Sequence, residues 1–146
     1  FASGKLLGRP SAGRMSMFFY DPKFKQRLPY YDTFPLVLPL EPMRGGFIGL
    51  NFHYLPYGAR FSFLQQLQSY ASNGKFDQST KIQASYNSIK SNKYTKVAIK
   101  RYLYSHVRSN FLRINVDEMA LAAYLPVAQF QGRTLGGVFA AARKNF

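Results

Sequence analysis

Short aromatic runs separated by proline and glycine fill residues 15–55, and this punctuation restricts that part of the chain to short strands joined by turns. We predict four strands, over residues 15–20, 24–31, 35–40 and 47–55. Asp21-Pro22-Lys23 supplies the first turn, and the glycines of residues 41–46 allow positive φ in a hairpin connection. In the fourth strand one alternating set is wholly apolar, which predicts one buried face. The pattern favours an N-terminal antiparallel β-meander or a small, partly open barrel.

Beyond residue 56 the apolar positions recur at helical spacing. We predict about four helices, over residues 60–71, 81–90, 96–107 and 115–123. Asp117 and Glu118 fall in the first turn of the last of these, where carboxylates favour the helix dipole. Lys93, Lys96 and Lys100 are three and four residues apart, so they share one face of the third helix. Strands followed by helices indicate an α+β fold.

The composition divides the chain into three parts. Residues 1–14 are basic and rich in Gly, Ser and Pro, which predicts an extended arm without a core of its own. Residues 15–130 form a single α+β domain, whose core draws on the 47% hydrophobic content of the chain. Residues 131–146 are a basic C-terminal tail with a short helix over residues 138–144. Val127 to Phe130 is a short extended piece before that tail.

Positive charge is the property that most directly indicates a partner. The net charge is +14, and eight cations with no acid lie between Asp77 and Asp117. Such an excess opposes folding through self-repulsion unless a polyanion or an acidic partner offsets it. The alternative is a solvated basic face that keeps the protein in solution. The candidate electrostatic or nucleic-acid contacts are Lys93, Lys96, Lys100, Arg101, Arg108 and Arg113.

Several kinds of chemistry are excluded or disfavoured. Without cysteine there is no disulfide, thiolate zinc site or Cys nucleophile. No apolar run approaches the ~20 residues of a membrane span, and we expect no signal peptide. Asp21 and Lys23 match half of a nuclease pattern, but no acid precedes them, so a turn explains them better. His53 and His106 are more typical of hydrogen-bonded structural residues than of catalysts. We therefore assign no catalytic residue, cofactor or metal ligand.

Four segments resemble a known family when taken together. They are MSMFFYDPKFKQRLPYYDTFPLVLPLE (15–41), GGFIGLNFHYLP (45–56), FDQSTKIQASYNSIKS (76–91) and IKRYLYSHVRSNFLRI (99–114). Their order and content are similar to those of small, basic virion-associated proteins of T-even-like tailed phages, common in marine and cyanobacterial myophages. The resemblance covers most of residues 15–130. The YDPK and GGF blocks are its most specific parts.

The resemblance implies a non-enzymatic structural component of a contractile-tailed virion, in the tail or baseplate region, made in the host cytoplasm. Its partners would be other virion proteins in a symmetric assembly, reached through the N-terminal arm and through aromatic and Arg anchors. Tyrosines beside cations also suit base stacking, although protein contacts are the stronger interpretation. The alternatives are a DNA-contacting neck or genome-end protein and, more weakly, a virion nuclease. The first interface candidates are Tyr30, Tyr31, Phe34, Tyr54 and Arg60.

Overall fold

A computed structural model describes residues 5–10, 14–23, 25–71, 95–114, 118–124 and 127–143. The described strands are β1 Lys5–Leu7, β2 Ser16–Met17, β3 Tyr31–Asp32, β4 Leu36–Met43, β5 Gly46–Asn51, β6 Ile99–Leu103, β7 Phe111–Arg113 and β8 Phe130–Gln131. The described helices are α1 Tyr57–Ala71, α2 Met119–Tyr124 and α3 Leu135–Arg143. Helices and antiparallel sheet occur together, so the α+β class is confirmed.

One open sheet forms the centre of the fold, with strand order β1-β7-β2-β4-β5-β6 and antiparallel pairing throughout. β3 and β8 form a separate two-stranded ribbon. The barrel alternative is wrong for the described strands, because β1 and β6 remain as edges. Of the predicted meander, β2, β4 and β5 pair as antiparallel neighbours in chain order. The sheet extends beyond it, because β7 pairs with β2 and β6 with β5, which brings the C-terminal half of the chain into the sheet.

The hairpin between β4 and β5 follows the sequence closely. Met43 pairs with Gly46, which leaves Arg44 and Gly45 as a two-residue turn. Gly45 has φ +74°, a conformation that glycine adopts without the steric cost of a Cβ. The predicted glycine connection is confirmed, although β4 extends three residues further than expected, to Met43.

Both faces of the central strands are buried. Leu36, Leu38 and Leu50 pack in a cluster with α1 and α3, whereas a second cluster includes Val37 and Phe47. Alternate residues of a strand point to opposite faces, so the two clusters lie on opposite sides of the sheet. The prediction of one buried face for residues 47–55 is therefore wrong. β5 pairs with strands on both sides, and side chains cover it above and below.

Two predicted elements take other forms. The return strand expected over residues 24–31 is replaced, in its described part, by a 3-10 turn at Lys25–Arg27 and by β3. The helix expected over residues 96–107 is instead a 3-10 turn at Lys96–Ala98, then β6, then a 3-10 turn at Tyr104–His106. Pairing with β5 satisfies the backbone of this segment, and tertiary pairing of this kind overrides local helical spacing.

The helices of residues 60–71 and 138–144 are confirmed in α1 and α3, both of which begin three residues earlier than predicted. Thr134 caps α3, since its hydroxyl accepts a hydrogen bond from the Gly137 amide at 3.1 Å. α2 overlaps the helix predicted over residues 115–123 and ends one residue later, at Tyr124. Residues 115–117 lie outside the described part of the chain. The predicted helix of residues 81–90 also lies outside it.

The ends of the chain contribute to the domain. β1 pairs with β7, so residues 5–7 of the predicted arm belong to the sheet. Val138 of α3 is 1% exposed within the core, so the predicted tail supplies part of that core. Among the described helices, none combines the length and apolarity needed to cross a bilayer.

Candidate nucleic-acid interface

A cavity of about 430 Å³ lies beside β6, the last strand of the sheet in the described part of the chain. Its aromatic lining consists of Tyr20, Tyr30, Tyr31, Tyr54 and Tyr102. Its basic lining consists of Lys23, Lys100 and Arg101. Lys23 and Arg101 are exposed, so the cavity opens to solvent. Its volume is within the range of about 300–1,000 Å³ that is typical of small-molecule pockets.

Sheet register places the cationic and aromatic groups of β6. Lys100 lies opposite Gly49, and Tyr102 lies opposite Phe47. Residues two apart on a strand share a face, so Lys100 and Tyr102 are on the same side of β6. The Phe47 and Tyr102 rings stack with centroids 5.4 Å apart. Tyr102 is buried, with 4% of its surface exposed.

Tyr20 connects the opposite wall to β6. Its hydroxyl accepts a hydrogen bond from the Leu103 amide at 2.9 Å, and its own amide donates to the Thr33 carbonyl at 3.0 Å. Burial raises the pKa of Tyr20. Burial likewise raises the pKa of Tyr54 and of Tyr102, so all three phenols stay neutral at physiological pH.

Lys100 is the most unusual charge in the cavity. Its ammonium Nζ lies 4.1 Å from the centroid of the Tyr54 ring, a cation–π contact. The side chain is half-buried, and burial lowers the pKa of Lys100. Within the described residues no carboxylate forms a salt bridge with it. A half-buried cation without a neutralising anion is an electrostatically favourable place for a phosphate.

Asp32 is the acidic residue of the lining, and its oxygens are already engaged. Oδ2 contacts Asn51 Nδ2 at 3.1 Å and His53 Nδ1 at 2.7 Å. Oδ1 accepts from the amides of Phe34 and Gln129. Burial alone would raise the pKa of Asp32, but the hydrogen bonds from His53, Asn51 and the Phe34 amide lower it below its ordinary value. Asp32 therefore joins β3, β5 and the segment before β8.

The two histidines have the hydrogen-bonded structural positions that the sequence indicated. His53 is fully buried on Asp32, and its Nε2 has no partner among the described residues. A ring sealed from solvent cannot reach a substrate in this conformation. His106 Nδ1 lies 2.9 Å from the Asp21 carbonyl oxygen.

Comparison with known proteins identifies the family. The family model described as phage T4 terminal DNA protecting protein matches residues 2–144. The chain belongs to this family. No curated protein and no solved structure matches the chain. The T4-like phage family expected from the resemblance is thus confirmed, and the description of the matching family names protection of terminal DNA.

The basic residues predicted as nucleic-acid contacts are of particular interest in a family described by DNA protection. Lys96, Arg101 and Arg108 are exposed, and Arg113 and Lys100 are half-buried. The structure brings Lys100 and Arg101 together at the cavity, but Lys96 and Lys100 do not share a helix face. Arg108 is instead 3.6 Å from Asp21, which also pairs with Lys25 at 2.9 Å. Lys93 lies outside the described residues.

Two of the five predicted interface residues are inside the protein. Arg60 is 1% exposed and donates to the carbonyl oxygens of Leu55, Ala123 and His53 at 2.7, 2.8 and 3.2 Å. Tyr54 is 5% exposed, in contact with Phe130 and Lys100. As surface anchors both predictions are wrong, because each side chain finds its partners within the chain.

The other three interface candidates are half-buried. Tyr30 and Tyr31 line the cavity, and the Arg133 guanidinium lies 4.3 Å from the centroid of the Tyr30 ring. Phe34 stacks on exposed Phe19 with centroids 4.5 Å apart. Their role as contacts stays a prediction.

The sequence interpretation did not single out an exposed apolar patch on the helices. The patch consists of Phe61 on α1 and Leu121 and Tyr124 on α2, which are 50%, 57% and 40% exposed. Tyr57 stacks on Tyr124 with centroids 6.0 Å apart, so α1 and α2, which carry these exposed residues, contact each other. Helical spacing could have indicated Phe61, since it lies outside the stripe that includes Phe63 and Leu64.

Proposed function

We propose that this protein binds the ends of linear duplex DNA in the phage particle and shields them from exonucleases, without catalysing a reaction. The observation that carries the proposal is the match to the phage T4 terminal DNA protecting protein over residues 2–144. This is the genome-end alternative of the sequence analysis, and it replaces tail or baseplate structure as the leading function. Protection is the opposite of cleavage, so the nuclease alternative is the least favoured.

The surface charge supports DNA binding. Exposed cations are distributed over the described chain at Arg9, Arg14, Lys23, Arg27, Arg44, Lys96, Arg101, Arg108 and Arg133. Of the four described acids, Asp32 is buried and Asp21 is engaged by Lys25. Cations of this kind neutralise phosphates and release counterions. Engagement of six phosphates would give a slope of about −5 in log K against log salt.

The cavity supports an end-directed function. A DNA end differs from internal duplex in its terminal phosphate and in terminal bases that unpair easily. Tyrosine rings supply stacking surfaces for bases, and Lys100 and Arg101 supply positive charge beside them. Uniform surface charge alone would not distinguish an end from the middle of a duplex.

An end-protection assay tests the proposal. Linear duplex is incubated with the purified protein and then treated with an exonuclease that requires a free end. We expect the linear DNA to survive in proportion to bound protein, even when closed circular DNA is added as competitor. A control with an endonuclease that cuts internally should show little protection. Equal protection in both assays, or none in the first, would contradict the function.

The helical patch supports a second role, attachment to another virion protein. Exposed Phe61 and Leu121 form the kind of aromatic and aliphatic surface that protein interfaces bury. The tail, baseplate, neck and genome end remain alternative locations for that contact, within a symmetric assembly of virion proteins. We expect the phage that carries this protein to be a marine or cyanobacterial myophage.

Mass spectrometry of separated heads and tails tests the location, and Phe61→Ser tests the patch. If the patch attaches the protein to the particle, Phe61→Ser should be missing from virions while keeping end protection in vitro. Normal incorporation of Phe61→Ser would exclude this role for the patch.

A further inference from the structure

We propose that the cavity beside β6 receives the unpaired 5′-terminal nucleotide of a DNA strand, with the base against the tyrosine rings and the terminal phosphate on Lys100. The inference rests on the proposed end-binding function and specifies the part of the DNA that the cavity recognises. The ligand is thus a terminal deoxynucleotide that carries a phosphomonoester.

The size and lining of the cavity fit one nucleotide. About 430 Å³ is enough for a small polar ligand and too little for a base pair with its two backbones. Tyr30 and Tyr31 are half-buried lining residues, and Arg133 lies over one face of the Tyr30 ring, so a base would stack on the Tyr31 ring or on the other face of Tyr30. Base stacking on such rings is tolerant of sequence, as a protein that meets any strand end requires.

The charges of the cavity favour a terminal phosphate over an internal one. Lys100 is half-buried without a described carboxylate partner, and exposed Arg101 also lines the cavity. A phosphomonoester carries about −1.5 to −2 charge, more than the single charge of an internal phosphodiester. A terminal phosphate therefore gains more from a half-buried ammonium. Burial removes water molecules from the ammonium, and charge-assisted hydrogen bonds to the phosphate replace the lost contacts with water.

Asp32 is the negative charge that an anion in the cavity would meet, and hydrogen bonds compensate it. Its side chain lines the cavity, yet it is 4% exposed and each oxygen is engaged by two donors. His53, Asn51 and the two amides compensate this negative charge. It still acts on the neighbouring phenols and, together with burial, helps to raise the pKa of Tyr54 and Tyr102. The phenols of Tyr54 and Tyr102 stay neutral because burial raises the pKa of each, so they add no repulsion.

Binding to matched DNA probes tests the inference. One probe is a hairpin duplex whose single open end carries a short, 5′-phosphorylated overhang. The other is a dumbbell of the same sequence, closed at both ends. Wild-type protein should bind the open probe about tenfold more tightly than the dumbbell, and loss of the 5′-phosphate should remove most of that preference.

Lys100→Met and Lys96→Met form the matched pair of variants. Lys96 is an exposed cation four residues away that does not line the cavity. Lys100→Met should abolish the preference for the phosphorylated end. Lys96→Met should instead weaken binding to both probes equally, by about twofold. Equal effects of the two variants on the open probe would overturn the inference.

A crosslinking measurement needs no variant. A photoreactive 5-iodouracil is placed at the 5′-terminal position, and crosslinked peptides are mapped by mass spectrometry. We expect adducts on Tyr30 or Tyr31; adducts only outside the cavity would overturn the inference.

Absence of any end preference in wild-type protein would refute the proposed function itself, whereas an end preference that survives Lys100→Met would refute only this use of the cavity.

Discussion

Two cations withdrawn from solvent, Arg60 and Lys100, have opposite environments. Arg60 is buried, with three backbone carbonyls as hydrogen-bond partners and the Tyr57 ring 4.7 Å from its guanidinium carbon. Lys100 is half-buried at a cavity and has no described carboxylate partner. The comparison shows that burial alone does not define a cation's role. A cation whose donors are satisfied within the chain stabilises the fold, and one that faces an open cavity without a counter-charge is available to a ligand.

Replacement of Arg60 should have the largest effect on stability. Arg60→Met removes donors from the carbonyls of Leu55, Ala123 and His53, and unsatisfied buried acceptors are costly. We expect the free energy of unfolding to fall by about 3 kcal/mol or more, measured by urea denaturation. A loss below about 0.5 kcal/mol, the scale of a surface substitution, would remove the distinction between the two cations.

Replacement of Asp32 should have an effect on stability between those expected for Arg60 and Lys100, and the effect should depend on pH. Asp32→Asn puts an amide donor against groups that now donate to the carboxylate, and we expect a loss of about 2 kcal/mol at pH 7.

The sign of the pH effect follows from the lowered pKa of Asp32. Because the folded-state pKa lies below the unfolded value of about 3.9, the ionised form stabilises the fold above that pH, and this contribution is lost as the pH falls through the folded-state pKa. The gap in melting temperature between wild type and Asp32→Asn should therefore narrow below about pH 4. A constant gap from pH 7 to pH 3 would contradict a stabilising carboxylate.

Replacement of Lys100 should have the smallest effect on stability, and it should stabilise the fold rather than destabilise it. Since burial lowers the pKa of Lys100, the folded state disfavours its charged form, and Lys100→Met removes that penalty. We expect the melting temperature to rise by about 1–3 °C while end binding weakens, as at other sites where function costs stability. A fall in melting temperature comparable with that of Arg60→Met would assign Lys100 a structural role instead.

Part of the fold could be predicted because its signals are local. Gly45 is required by the backbone of a two-residue turn, and the helix of residues 60–71 shows its apolar stripe at Phe63 and Leu64. Residues 99–103 were assigned to the wrong element, since Val97, Ile99 and Leu103 fit helical spacing. Their strand depends on β5, which is distant in sequence.

The amino-acid sequence by itself determined the excess of positive charge, the supply of aromatic rings and the resemblance to phage proteins, since these depend only on which residues are present and in what order. Only the tertiary structure decided which cation is used for which purpose. Arg60 is buried because carbonyls at Leu55 and Ala123, far apart in the chain, converge on it. Lys100, which is half-buried, lines a cavity beside β6, the last strand of the described sheet. The energy of a charge depends on the partners around it, and folding brings those partners together.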